Sequence, residues 1–224
     1  MTTLNFTTTT PLNNIAIIGA SGFIGSALTK EALARGLKVR ALVSRPERLT
    51  ASAELEVVGV DVMDSKALTQ ALQGVDLVIS AFSGHAQQDV AGYYQQGFEL
   101  ILTAVKAAAV PRLLVVGGAA SLKLADGSML LDKPDFPAAY LGSAKGAYAA
   151  LQLLRAEKSL AWSYLSPAAE IFPGDKTGNF RLGADDLLTD AQGKSRISTG
   201  DYAVAMLDEA QQPQQLNRRF SVAY

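Results

Sequence analysis

NIAIIGASGFIGSALTKEALARG, residues 14–36, joins an apolar run to an amphipathic one through three glycines and a serine. The run NIAIIG (14–19) carries three isoleucines and has the length of a buried parallel strand. After it, Ile24, Ala27, Leu28 and Leu33 recur at helical spacing, and Gly36 is a natural stop. Between the two, Gly19, Gly22 and Gly25 form G-x-x-G-x-x-G. Such a turn asks for backbone angles that side chains resist, and it leaves bare backbone facing a ligand. A helix opening on it points free N–H groups and the positive end of its dipole at an anion. Ser21 adds a hydroxyl donor, and Gly25, one turn in, permits close packing of helix on strand. The context predicts a pyrophosphate site, the bland alternative being a tight turn with no ligand.

Outward from this stretch the pattern repeats. KVRALV (38–43), LEVVGVDV (55–62), VDLVISAF (75–82), PRLLVVGG (111–118) and LAWSYLSP (160–167) read as strands. Helices fall between them, over 64–74 behind the N-cap Asp64, over about 89–109, and over 139–158. The β-α repetition predicts an α/β fold of Rossmann type, a doubly wound parallel sheet with helices on both faces. The last quarter changes character. Residues 178–198 have strand-like ends, 201–212 read as a helix, and RRFSVAY closes the chain as an edge strand. This tail is expected to form a small substrate-side subregion over the carboxyl edge of the sheet. A threonine-rich leader over 1–13 and one domain over 14–224 are the expected organisation.

Composition narrows the chemistry. Of 224 residues, 49% are hydrophobic and 18% charged, which suits a globular domain with a sizeable core. Twenty basic residues against 21 acidic ones leave no basic excess for nucleic acid or a membrane surface. With no cysteine and one histidine, His85, the chain cannot form a disulfide, a thiolate nucleophile, a thiolate zinc site or a histidine-cluster metal site. MTTLNFTTTTPLNN lacks the basic and apolar regions of a secretory signal, and no apolar run reaches the roughly 18 residues of a membrane span. A soluble, cytoplasmic protein is the expectation.

The identity of the dinucleotide is read from the tip of the second strand. NAD-preferring folds place an acid about 20 positions beyond the glycines to receive the ribose 2′-hydroxyl. Here that zone is LVSRPERL (42–49), whose only acid, Glu47, follows Pro46. Arg45 can meet a 2′-phosphate as a charge-assisted fork, with Ser44 donating a further bond. NADP(H) is therefore expected over NAD(H), against the alternative that Arg45 and Arg48 are solvated loop charges. Asp61 and Val62 follow the third strand, where a carboxylate can accept from the adenine amino group or cap a turn. SAFSG (80–84) follows the fourth, where small residues let backbone approach the ribose.

The whole pattern resembles the atypical short-chain dehydrogenase/reductases, specifically the NAD(P)H-flavin reductase-like and NmrA-like group. IAIIGASGFIGSALTKEALARG, VRALVSRPERL, VGVDVMD, LVISAFSG, RLLVVGGAASL, SPAAEIFPGDKTGNFRLG and ISTGDYAVAMLDE carry the likeness, over nearly all of 14–224. It implies that Gly19, Ser21, Gly22, Phe23, Ile24 and Gly25 hold pyrophosphate, Ser44 and Arg45 the 2′-phosphate, and Asp61 and Val62 the adenine. Ala81, Phe82 and Ser83 would line the ribose, Gly117 and Gly118 the nicotinamide, and the backbone after Pro167 its carboxamide. One departure matters. The typical superfamily pattern has Tyr-x-x-x-Lys on the helix after the fifth strand, the lysine lowering the tyrosine pKa. Here Tyr140 and Lys145 are five apart, roughly 140° around a helix, so Tyr140 is expected to pack and Lys145 to be solvated.

That departure weakens carbonyl reduction and sugar-nucleotide epimerisation, which need a proton donor at oxygen. Hydride transfer from NADPH to a free flavin or a quinone asks mainly for stacked geometry. Phe82, Tyr93, Tyr94, Phe136, Tyr140 and Phe172 are candidates for the pocket, about two of them touching substrate. Ser121, just past the fifth strand, is the candidate catalytic hydrogen-bonding residue, or else a loop serine. His85 is read as a surface-loop residue and Asp201 as a cap in a first helical turn. The partner is then a small-molecule acceptor: flavin, quinone or small carbonyl compound. The competing class is a non-catalytic NADP(H) sensor of NmrA-like type. Monomer and homodimer both remain open.

Overall fold

The first strand, β1 (Asn14–Ile18), sends Ile15 and Ile17 into one core and Ala16 and Ile18 into another. A strand buried on both faces needs helices on both faces. That is the arrangement in the computed structural model, which describes residues 12–84 and 87–224. His85 lies outside the described residues, as does the expected leader apart from 12 and 13.

The chain continues through α1 (Phe23–Ala34), β2 (Lys38–Val43), β3 (Leu55–Gly59), α2 (Ser65–Ala71), β4 (Leu77–Ser80) and α3 (Val90–Ala107). Next come β5 (Arg112–Val116), α4 (Ala138–Ala156) and β6 (Ala161–Ser166). The tail holds β7 (Glu170–Phe172), β8 (Arg181–Gly183), β9 (Arg196–Ser198), α5 (Thr199–Gln211) and β10 (Arg218–Ala223). The main sheet has the order β3-β2-β1-β4-β5-β6-β10-β8, parallel throughout except for β10 against β8. Helices α1 and α5 cover one face, and α2, α3 and α4 cover the other. The order reverses between β1 and β4, which opens a crevice at their carboxyl ends.

Local chemistry sets the helix starts. Asp64 accepts from the Ala67 amide at 3.0 Å, Asp89 from the Gly92 amide at 2.9 Å, and Ser198 from the Asp201 amide at 2.9 Å. The tail departs from expectation in three ways. RRFSVAY is not an edge strand: β10 pairs with β6, and the short β8 takes the edge. Residues 170–172 form an unanticipated strand, paired in parallel with β9. Asp201 does more than sit in a first turn. Fully buried, it accepts from the Thr177 and Gly178 amides and from the Thr177 and Tyr224 hydroxyls, each at 2.8 Å. It thereby fastens the 174–178 loop to α5 and the chain end.

A second polar tie runs under the sheet. Arg112 of β5 pairs with Glu209 of α5, both buried, and Ser163 of β6 bonds to each at 3.0 and 2.9 Å. The last carbonyls of α5 also accept from Arg112, which suits a cation at a helix C-terminus.

Candidate functional site

The glycine loop turns on Gly19, whose φ of +78° is the left-handed region that favours glycine. Its amide donates to Leu42 O at 2.8 Å, and a Cβ there would come within 2.7 Å of Ala81 O. Gly25 fits against the same loop so tightly that a Cβ would lie 2.1 Å from Gly19 O. These two glycines bring α1, β2 and the β4–α3 loop together at one point.

The helix that follows begins uncapped. Gly22 offers no side-chain cap, and no acid lies in the first turn of α1. The first intrahelical bond runs from the Ser26 amide to Gly22 O at 2.9 Å, leaving the Phe23, Ile24 and Gly25 amides without an acceptor among the described residues. These orphan donors at the positive end of a helix fit an anionic group such as a pyrophosphate. They border a cavity of about 560 Å³ in the crevice between β1 and β4. Helix α4 also starts without a side-chain cap or an acid in its first turn, and its N-cap residue, Pro137, lines the same cavity.

The expected site residues divide into two groups. Gly22, Phe23, Ile24 and Gly25 line the cavity from α1, Ala81, Phe82 and Ser83 from the β4–α3 loop, and Gly117 and Gly118 from the loop after β5. Gly19 and Ser21, in the same loop, are not among the lining residues. Ser44 and Arg45 lie outside the cavity proper, exposed just beyond the carboxyl end of β2. Arg45 enters no ion pair among the described residues. Asp61 is exposed too, and its Oδ1 accepts from the Met63 amide at 2.9 Å, while Val62 is buried. Pro167 is buried, and Ala169 lines the cavity in its place.

Four of the six candidate aromatics border the cavity: Phe82, Tyr94, Phe136 and Tyr140. Tyr93 is not in the lining; its ring lies 5.6 Å from that of Phe82, tilted by 35°. Phe172 is engaged elsewhere, with the Arg196 guanidinium 4.8 Å over its ring and Tyr224 beside it. Contrary to expectation Tyr140 does not pack; it is 61% exposed at the mouth, while Lys145 points to solvent outside the lining. Ser121 also departs from its candidate catalytic role. It is buried away from the cavity, where Arg219 Nη1 donates to its Oγ at 3.0 Å and to its carbonyl at 2.9 Å.

Of the segment between β5 and α4 the sequence reading named Phe136 and missed Leu130, Lys133, Asp135 and Pro137. The segment carries no helical or strand period; its one signal is the aromatic Phe136 set between prolines in KPDFPAAY. Burial pushes the Tyr94 phenol well above its ordinary pKa and that of Tyr164 up to about 12, so both stay protonated near neutrality. Among the described residues no helix is long and apolar enough to cross a membrane.

Sheet order, switch-point crevice and uncapped glycine-loop helix define the class, a Rossmann-type dinucleotide-binding protein. The comparisons agree. A family model described as NAD(P)H-binding matches residues 19–210, and the chain belongs to that family. YwnB of Bacillus subtilis, itself uncharacterised, is 36% identical over 211 residues, covering 93% of this chain and 97% of its own. A candidate epimerase from Bacteroides thetaiotaomicron superposes with a TM-score of 0.89 at 40% identity, covering 95% of this chain and 97% of the other. A candidate NADH-flavin reductase from Streptococcus pneumoniae gives 0.83 at 33% identity, with 94% and 99% covered.

Proposed function

We propose that the protein is a reductase that uses NADPH to reduce a planar acceptor, a flavin or a quinone. The observation that carries this reading is the cavity itself. Its walls beyond the glycine loop are apolar and aromatic, with Phe82, Val116, Leu130 and Phe136 among them, and no Tyr-x-x-x-Lys pair faces it. Such walls sandwich a flat ring and exclude water from it. The likeness to the pneumococcal protein supports the same chemistry. The Bacteroides likeness points to epimerisation, against which the missing tyrosine–lysine pair weighs.

When bound, the nicotinamide supplies a hydride, and the residues of this chain bind and orient. The Phe23, Ile24 and Gly25 amides hold the pyrophosphate, Arg45 and Ser44 the 2′-phosphate, and the free oxygen of Asp61 the adenine amino group. Ala81, Phe82 and Ser83 border the ribose; Gly117 and Gly118 leave room for the nicotinamide.

The test is NADPH oxidation, followed at the nicotinamide absorbance, with and without FMN, FAD, riboflavin and 1,4-naphthoquinone. Acceptor-dependent turnover is the expected result and ranks the acceptors. Tight NADPH binding with no turnover on any of them overturns the reductase reading in favour of a redox sensor.

A further inference from the structure

Three tyrosines of this chain are buried to 5% exposure or less: Tyr94, Tyr164 and Tyr202. A buried phenol normally finds a partner for its hydroxyl. Tyr164 donates to Ala147 O at 2.9 Å and accepts from the Gly118 amide, and Tyr202 donates to Leu165 O at 2.7 Å. Tyr94 differs. Its hydroxyl makes no hydrogen bond to another described residue, although the side chain is buried. Tyr94 lines the cavity, as do Gly118 and Ala147, which hold the neighbouring Tyr164 hydroxyl.

The ring is held firmly. It lies 5.7 Å from the Phe82 ring and 6.5 Å from that of Phe98. Gly146 of α4 presses so close that a Cβ there would stand 2.7 Å from the Tyr94 Cβ. Of the other polar side chains of the lining, Ser143 donates from Oγ to Tyr140 O at 3.0 Å, and Ser83, Lys133, Asp135 and Tyr140 are exposed.

We propose that the Tyr94 hydroxyl is the hydrogen-bond donor that holds a carbonyl oxygen of the acceptor in this cavity. This rests on the reductase reading and deepens it: the acceptor class is a planar ring bearing a carbonyl, as quinones and flavins do. Burial keeps the phenol protonated, so it donates a hydrogen bond across the neutral range and gives up no proton. It supplies from α3 a buried donor, whereas the hydroxyl-bearing Tyr140 of α4 stands exposed at the mouth. An acceptor without that oxygen leaves the donor unpaired in an apolar wall, which is a basis for discrimination.

The experiment compares wild type with Tyr94→Phe, which keeps the ring and removes only the hydroxyl. Calorimetric titrations of 1,4-naphthoquinone and of naphthalene are made against protein saturated with NADP+. The expected result is about tenfold weaker binding of the quinone to the variant, with naphthalene and NADPH affinities unchanged. Equal quinone affinity in the two proteins, or a loss confined to NADPH, overturns the proposal. So does a wild type that fails to distinguish the quinone from naphthalene. Failure of the reductase reading is seen separately. A wild type that binds the quinone through Tyr94 but never oxidises NADPH with it keeps the donor and removes the turnover.

Discussion

The Gly118 amide donates to the Tyr164 hydroxyl at 3.1 Å, so the loop after β5 is pinned from within β6. The same hydroxyl donates to Ala147 O at 2.9 Å, which ties in α4 as well. One phenol thus sets the spacing of two cavity walls. Tyr164→Phe is expected to destabilise the fold by about 1–2 kcal/mol in urea titrations, by removing the partner of the half-buried Gly118 amide and the tie to α4 at Ala147 O. It should also weaken NADPH binding, because Gly118 lines the cavity. Unchanged stability and affinity would contradict the pinning role.

Gly25 tests the geometry of the glycine loop. A methyl group there would stand 2.1 Å from Gly19 O and 2.9 Å from Gly19 C, which are backbone atoms with no side-chain freedom to yield. Gly25→Ala must therefore displace the loop or the first turn of α1. Overpacking of this kind costs roughly 1–3 kcal/mol. The larger effect is expected on dinucleotide affinity, since the Phe23 and Ile24 amides move with the turn. Nicotinamide fluorescence titration checks it, and a variant that folds and binds as wild type would show that these amides do not meet the pyrophosphate.

The proposed preference for NADPH rests on Arg45. It stands exposed beyond β2, outside the ion pairs of the described residues, and a 2′-phosphate would be its natural partner. Arg45→Ala is expected to weaken NADPH binding by roughly tenfold or more while leaving NADH nearly unchanged. Equal losses for both cofactors would remove the assignment.

Much of this was legible in the residues because the signals are local. The isoleucine run of β1, the glycine triplet and the cap at Asp64 each act within a few positions, and the structure has them where the pattern puts them. What escaped is set by partners far along the chain. Arg219, which holds Ser121, is 98 positions away from it. Phe172 is claimed by Arg196 and Tyr224. The place of β10 inside the sheet depends on β8, a three-residue strand with hardly any pattern to read. Tyr94 was visible as an aromatic on a helix, but its place in the cavity wall shows only once Phe82, Phe98 and Gly146 pack around it.

Glu157 gives the fold a pH dependence with a definite sign. At the end of α4 its Oε1 accepts from the Ser159 hydroxyl at 2.7 Å and from the Ser159 and Lys158 amides at 2.6 and 2.8 Å. Its Oε2 meets Lys106 of α3 at 2.9 Å. The Ser159 bonds, followed by Lys106, lower its pKa from 4.5 to about 2. Because the folded value lies below the unfolded one, the unfolded chain binds more protons between them. The contribution to stability is therefore complete above pH 4.5 and is lost as pH falls toward 2. Glu157→Gln is expected to be less stable than wild type by about 1–2 kcal/mol at pH 7. Urea titrations at pH 7, 5, 4 and 3 should show the gap holding to pH 5 and narrowing below it. A gap that stays constant down to pH 3 would mean that Glu157 acts through packing and neutral hydrogen bonds, and that its charge does not join α3 to α4.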